Sequence, residues 1–105
     1  MENKLGSNGF GDVRPINQKE FMLCKKWITK WISPIKTINE RAGSYRLKHV
    51  VEKNSGTYVS NGVFIKAALN LGYIYKKHGE LNAFFNMSFK NAKINKQLSS
   101  FDILR

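Results

Sequence analysis

The spacing of apolar residues changes at Gly72, and this change limits the possible folds more than any other feature of the sequence. Before Gly72, apolar residues recur every three or four positions, which predicts amphipathic helices. After it, residues 73–77 and 83–87 are rich in aromatic residues and alternate with a period of two, as strands do. Residues 78–82 have the length and the turn residues of a hairpin loop. The sequence therefore predicts an α+β chain of about three helices followed by a C-terminal two-stranded β-hairpin.

The start of the first helix carries two capping signals. Asn17 is placed to cap the helix, and Glu20, three residues later, is placed to bond back to the cap as in a capping box. Ile16 and Phe21 occupy the two positions of a hydrophobic staple. Together these signals predict a helix that begins directly after Asn17 and turns an apolar face toward the core.

Proline, glycine and small polar residues mark the later boundaries. Pro34 is expected to end the first helix, because the residue before a proline is disfavoured in the helical region. The pair Ser33-Pro34 could also begin a short further turn that runs to Gly43. The second helix is predicted to begin at Ser44 and to stop at Asn54-Ser55-Gly56, and the third to begin at Ser60 or Asn61 and to stop at Gly72.

One domain is expected, because 105 residues are enough for a single core but few for two. Residues 1–14 are polar and rich in glycine, which predicts a flexible N-terminal arm. Residues 15–88 contain the predicted helices and hairpin and are expected to form the domain. Residues 89–105 are a basic tail with a weak apolar pattern, for which a short helix and a loose segment both remain open.

The predicted order of two helices, a short turn and a two-stranded ribbon is that of a winged helix-turn-helix protein. Leu47, Val50 and Val51 resemble the first helix of the motif, and residues 58–60 resemble its turn. Residues 67–73 resemble the end of the recognition helix, and residues 84–87 resemble the returning strand. The stretch 47–87 also resembles small uncharacterised proteins of phages, plasmids and genomic islands. The winged-helix resemblance implies a protein that binds nucleic acid, DNA more than RNA.

Positive charge is concentrated in the middle of the chain. The full sequence has 18 Lys and Arg against 7 Asp and Glu, which gives a net charge of +11. Residues 36–77 hold eight of the basic residues and two of the acidic ones, a net charge of +6. A basic surface of this size is typical of proteins that bind nucleic acid or an acidic protein surface.

The third helix and the hairpin supply the candidate binding residues. If the third helix entered the major groove, the hairpin would reach the backbone, and the free amides at the helix start could hold a phosphate. The third helix contains no arginine, the commonest reader of guanine, so recognition of the backbone or of shape is favoured over base reading. The candidate residues for binding nucleic acid or an acidic protein are Arg46, Lys48, Ser60, Asn61, Lys66, Asn70, Lys76 and Lys77.

Catalysis, metal binding and membrane insertion are not expected. The seven acidic residues are scattered singly and no nucleophile motif is present, so the sequence predicts no catalytic residue and no cofactor. One cysteine and two histidines cannot form a structural zinc site without carboxylates. The longest apolar stretch, residues 63–75, is too short to span a bilayer and is interrupted by polar residues. Cys24 lies in an apolar helical pattern, which favours a buried thiol and a cytoplasmic protein.

A second function class remains open on the sequence. The third helix is weakly polar, and strand alternation places Phe85 and Met87 inward but Phe84 and Asn86 outward. An exposed aromatic side chain beside an apolar helix fits a protein partner, so the alternative is an anti-CRISPR-like inhibitor, encoded by a phage or genomic island, that binds a host or defence nuclease.

The two tryptophans of the first helix also admit two roles. Trp27 and Trp31 could stack on bases, as aromatic residues do in proteins that bind single strands. Their four-residue spacing on an apolar face favours packing in the core or in a dimer. A homodimer formed through the first helix is therefore a further expectation to test.

Overall fold

Helices and strands are interspersed along the chain, and the α+β class is confirmed. The computed structural model describes residues 5–6, 9–10, 15–79, 81–89 and 91–103. Within them the elements are β1 (Leu5–Gly6), β2 (Gly9–Phe10), α1 (Gln18–Trp31), β3 (Ser33–Gly43), α2 (Ser44–Ser55), α3 (Asn61–Asn70), β4 (Tyr75–His78), β5 (Asn82–Ser88) and α4 (Ala92–Ile103). The described helices are all too short or too polar to span a bilayer.

The main sheet has three antiparallel strands in the order β3–β5–β4. The predicted hairpin is confirmed for β4 and β5, which pair from Tyr75 with Phe85 to His78 with Asn82. The expectation of a two-stranded C-terminal wing is wrong, because β3 pairs with the other side of β5. The short turn predicted to begin at Ser33 is also wrong, because that residue opens β3.

The sequence pattern did not predict the strand β3, because β3 is an edge strand. Its β-branched residues Ile35, Thr37 and Ile38 favour an extended chain, but only Ala42 of its eleven residues is fully buried. An edge strand with polar residues on both faces has no period-two pattern to detect. Its charged side chains and its proline protect an open sheet edge from pairing with another chain.

The helix α3 is the centre of the fold. It packs against α1, α2, β5 and the short strands β1 and β2. Phe64 of α3 makes edge-to-face contacts with Trp27 of α1 and with Phe85 of β5, at centroid distances of 6.4 and 6.0 Å. Phe85 and Met87 are fully buried, as strand alternation predicts. The core therefore lies between the inner face of the sheet and the helices, with the Phe64 ring joining the two layers.

Residues 92–103 of the predicted tail form a fourth helix. Ile94 and Leu98 of α4 are fully buried, and Phe89, just before the helix, is 7% exposed. The side-chain amides of Asn54 in α2 and Gln97 in α4 bond to each other in both directions, at 3.3 and 3.1 Å. The core therefore extends beyond the hairpin into this segment.

The predicted helix boundaries agree with the structure, but the predicted capping roles of Glu20 and Ser44 do not. Asn17 Oδ1 accepts a hydrogen bond from Glu20 N at 3.0 Å, which confirms half of the capping box. The Glu20 carboxylate does not return to the cap, because it bonds to Ser60 instead. Gly43 is the N-cap of α2, and Ser44 is buried in the first turn. The confirmed boundaries are the end of α1 before Pro34, the stop of α2 at Gly56, the start of α3 after Ser60 and its stop near Gly72.

The described residues of the N-terminal segment pack on α3. Leu5–Gly6 and Gly9–Phe10 form a short antiparallel pair, and the rest of the predicted flexible arm lies outside the described residues. Gly9 is buried with φ +123°, and a Cβ atom at this position would lie 2.4 Å from the Leu81 carbonyl oxygen. Only glycine satisfies both the backbone conformation and the close approach.

Candidate nucleic-acid interface

The predicted residues at the start of α3 are buried and bonded within the protein. Ser60 N and Ser60 Oγ both donate to Glu20 Oε1 at 2.9 Å. Asn61 Nδ2 donates to the Leu81 carbonyl oxygen at 3.2 Å and to Asn82 Oδ1 at 2.9 Å. The Glu20 carboxylate therefore occupies the start of α3, where the sequence predicted a phosphate. It fills the position that the helix dipole makes favourable for an anion.

The predicted residue Lys48 is also buried. Its Nζ lies 3.4 Å from Glu52 Oε2, and the rings of Tyr45 and Tyr58 lie on either side, with centroids 5.5 and 5.0 Å away. The Glu52 carboxylate also accepts from Val59 N at 3.0 Å. Lys48 therefore neutralises an acid that holds the turn between α2 and α3, and its charge is not available to a ligand at the surface.

The remaining predicted residues of α3 are exposed, but they form only a narrow stripe one residue wide. Lys66 and Asn70 are the exposed residues of the helix, Leu69 is half-buried and all the others are buried. A recognition helix places several side chains in the major groove. The helix α3 is not placed to enter a groove in this way, because it is covered by α1, α2 and the N-terminal strands.

The predicted residues Arg46 and Lys76 lie on one surface, which we call the hairpin surface and define as Arg46, Lys76, His78 and Phe84. Arg46, His78 and Phe84 line a cavity of about 260 Å³ together with Glu40. The His78 ring stacks on Phe84 at 4.4 Å, and Lys76 pairs opposite Phe84 across the strands. Lys77 pairs opposite the inward-facing Ala83, so it points to the other face of the sheet.

A second basic site joins parts of the chain that are distant in sequence. We call it the helical cleft: a cavity of about 290 Å³ between α1, the end of α2 and the start of α4. The described residues that line it include three lysines and two tryptophans, and none of them is acidic. They are Leu23, Lys26, Trp27, Lys30, Trp31, Asn54, Ser55 and Lys93.

Cation–π contact and hydrogen bonding order the walls of the helical cleft. Lys30 Nζ lies 4.9 Å from the centroid of the Trp31 ring, which is half-buried, and such contacts favour a fixed position of the ammonium group. The Asn54–Gln97 amide pair links α2 to α4 beside the cleft. Sequence analysis missed this site because Lys93 belongs to the weakly patterned tail. The only signal was the spacing of Trp27 and Trp31 next to lysines.

The indole N–H of Trp27 is buried and, among the described residues, has no hydrogen-bond partner. A buried donor left without an acceptor costs about 1–3 kcal/mol. Trp27 is 6% exposed and its ring contacts Phe64 in the core. The core role predicted from its spacing is therefore confirmed for Trp27, whereas Trp31 keeps part of its ring at the surface.

The thiol of Cys24 is fully buried, as predicted. Burial, followed by the negative charges of Glu20 and Glu52, raises its pKa from 9.0 to about 12. A thiol with such a pKa is protonated at neutral pH and is a poor nucleophile. Among the described residues, no three His, Cys, Asp or Glu side chains are grouped closely enough to hold a metal ion.

The fold and surface define a small α+β protein with two basic surface sites. Comparison with family models, with curated proteins and with solved structures gave no match. The charge and shape of these two sites are therefore the features of the protein that bear on its function.

Proposed function

We propose that this protein binds nucleic acid without catalysis, through contacts to the phosphate backbone. The observation that carries the proposal is the imbalance of exposed charge. Among residues whose side chains the structure describes, eleven exposed Lys and Arg face a single exposed acid, Glu40. The two other acids among these described residues, Glu20 and Glu52, are bonded to the turn before α3. A surface with so little counter-charge attracts a polyanion over its whole extent.

Of the two basic sites, the helical cleft is the better candidate for the main contact. The hairpin surface has Glu40 at its cavity, and that carboxylate would repel a phosphate. The cleft combines Lys26, Lys30 and Lys93, and none of the described residues that line it is acidic. Three lysine–phosphate contacts would lower log K by about 2–3 for each tenfold increase in salt.

Fluorescence anisotropy with labelled duplex and single-stranded oligonucleotides tests the proposal. Binding is expected at 50 mM salt and micromolar protein, with a steep loss as salt is raised. Lys30→Glu in the cleft should weaken binding and reduce the salt slope. Lys36→Glu, which makes the same charge change at an exposed position outside both sites, is the matched control. Absence of binding by the wild type to both oligonucleotides at low salt would refute the proposal.

A protein-binding role is the second candidate, and one feature of the sheet supports it. Ile35 and Ile74 lie on either side of β5 and remain 36% and 53% exposed. Both are bonded to Asn86, whose Nδ2 donates to the Ile35 carbonyl oxygen and whose Oδ1 accepts from Ile74 N. The apolar side chains are thus held at fixed positions on the surface, as in protein interfaces.

Affinity capture from a nuclease-treated lysate separates the two functions. A partner that is retained by the wild type and lost with Ile74→Asp would support the protein-binding role. Equal retention by wild type and variant, or no partner after nuclease treatment, would contradict it. If the captured partner is a nuclease, as the inhibitor alternative predicts, adding this protein should reduce its nuclease activity.

A further inference from the structure

We propose that the helical cleft binds an unpaired nucleotide of a single strand, with the base against the Trp31 ring and the flanking phosphates on Lys26, Lys30 and Lys93. This inference rests on the proposed function and assigns to one site a preference for single strands. The tryptophan, the lysines and the size of the cavity each support it.

The Trp31 ring provides a surface on which a base can stack. Trp31 is the last residue of α1, and its ring is half-buried, so one part is held by the core and another lies in the cleft. Bases stack on aromatic side chains without regard to sequence, because every base has a π-face. In a duplex both faces of a base are covered by its neighbours, so this contact is available only to an unpaired base.

The three lysines surround the tryptophans from two different helices. Lys26 and Lys30 are four residues apart on α1 and therefore lie on one side of it. Lys93 stands in the first turn of α4, on the opposite wall of the cleft. Positive charge on both walls matches a strand whose phosphates run on either side of an inserted base.

Cation–π contact between Lys30 and Trp31 links the two parts of the site. The ammonium group already lies 4.9 Å from the ring centroid. A phosphate can bind the exposed side of this ammonium while the base uses the free part of the ring. Lys30 is therefore the lysine whose removal should affect stacking and phosphate binding together.

The dimensions of the cleft fit a single nucleotide. Its volume of about 290 Å³ is close to the lower limit of small-ligand pockets, about 300 Å³, and so suits one nucleotide better than a larger ligand. The neutral polar side chains of Asn54 and Ser55 also line it. Ser55 Oγ donates to the Val51 carbonyl oxygen at 2.8 Å and Asn54 bonds to Gln97, so both positions are fixed before a ligand enters.

The test compares a 12-residue oligothymidine strand with a duplex of the same length, both labelled, on the full-length protein. The wild type should prefer the single strand. Trp31→Leu should weaken single-strand binding about 5- to 150-fold, the range for loss of one base–aromatic stack, and leave duplex binding within about twofold. Trp31→Phe keeps a ring and should retain most of the affinity. Thermal melting of each variant checks that it folds.

Exposed lysine variants keep the test decisive even where a tryptophan variant is unstable. Lys30→Ala should weaken the single strand more than the duplex, whereas Lys36→Ala on β3 should lower both slightly and equally. Equal effects of Lys30→Ala and Lys36→Ala would overturn the assignment of the cleft, as would an unchanged single-strand affinity in folded Trp31→Leu. In either case, binding by the wild type would still support the proposed function. Failure of the wild type to bind either oligonucleotide would overturn both.

Discussion

The carboxylate of Glu20 is predicted to be the most important single polar group for stability. Its Oε1 accepts from both the N–H and the hydroxyl of Ser60 at 2.9 Å, and it thereby joins the first turn of α1 to the start of α3. A hydrogen bond to a charged group contributes about 1.5–3 kcal/mol. Since the two bonds share one oxygen and the site is half-buried, we expect Glu20→Ala to cost about 3 kcal/mol. That is a large part of the roughly 5–15 kcal/mol that stabilises a typical domain.

Urea unfolding followed by tryptophan fluorescence measures this cost. With a slope of about 1–3 kcal/mol per M, the midpoint should fall by about 1–3 M urea. Glu40→Ala is the matched control, because it removes the same charge from an exposed position and should change stability by less than about 0.5 kcal/mol. Ser60→Ala should cost about 1 kcal/mol, since it removes only the hydroxyl bond.

A double-mutant cycle identifies the partner. If Glu20 acts through Ser60, the cost of Ser60→Ala should largely disappear in the Glu20→Ala background. Equal unfolding midpoints for Glu20→Ala and Glu40→Ala, with unchanged slopes, would refute the role assigned to this carboxylate.

Three more predictions test the core, the N-terminal strands and the sheet. Because folding raises the pKa of Cys24 from 9.0 to about 12, ionisation of this thiol has no effect on stability below pH 9. Between pH 9 and 12 the stability should fall by about 1.4 kcal/mol per pH unit, because the unfolded chain ionises the thiol and the buried site does not. Alkaline urea titrations should show a shallower loss for Cys24→Ala, and identical pH profiles would contradict the burial effect. Gly9→Ala should lower the melting temperature by several degrees, because its Cβ would meet the Leu81 carbonyl oxygen; an unchanged melting curve would show that this approach is not close. Asn86→Leu should cost about 2 kcal/mol, or about 8–16 °C in melting temperature, by leaving two backbone groups unpaired; retention of the wild-type value would show that water replaces both bonds.

Local signals in the sequence predict much of the fold. The caps and stops at Asn17, Gly56 and Gly72 depend on backbone conformation within a few residues, so they can be recognised without the rest of the chain. The burial of Phe85 and Met87 in β5 follows from the alternation of strand residues. The outward position predicted for Asn86 is wrong, because this residue is buried and its amide bonds to the backbone of Ile35 and Ile74. Such features survive in isolation because neighbouring residues create them.

The interactions of Glu20, Asn61 and Lys48 were beyond the reach of the local pattern. Each resembles a surface residue in sequence, yet Glu20 and Asn61 bond to groups on other elements, and Lys48 is buried beside Tyr58 of the following turn. The edge strand β3 was missed for the same reason, because its partner β5 lies more than forty residues away.

The sequence by itself determined the α+β class, the net charge of +11 and the buried environment of Cys24, because composition and period set what can be buried and what must face water. Tertiary packing alone decided which charges lie together. It buried α3, turned Lys48 inward and brought Lys93 to the two tryptophans of α1. The physical reason is that a binding site needs convergence in space, and convergence depends on how the helices pack over a core that no single segment can form alone.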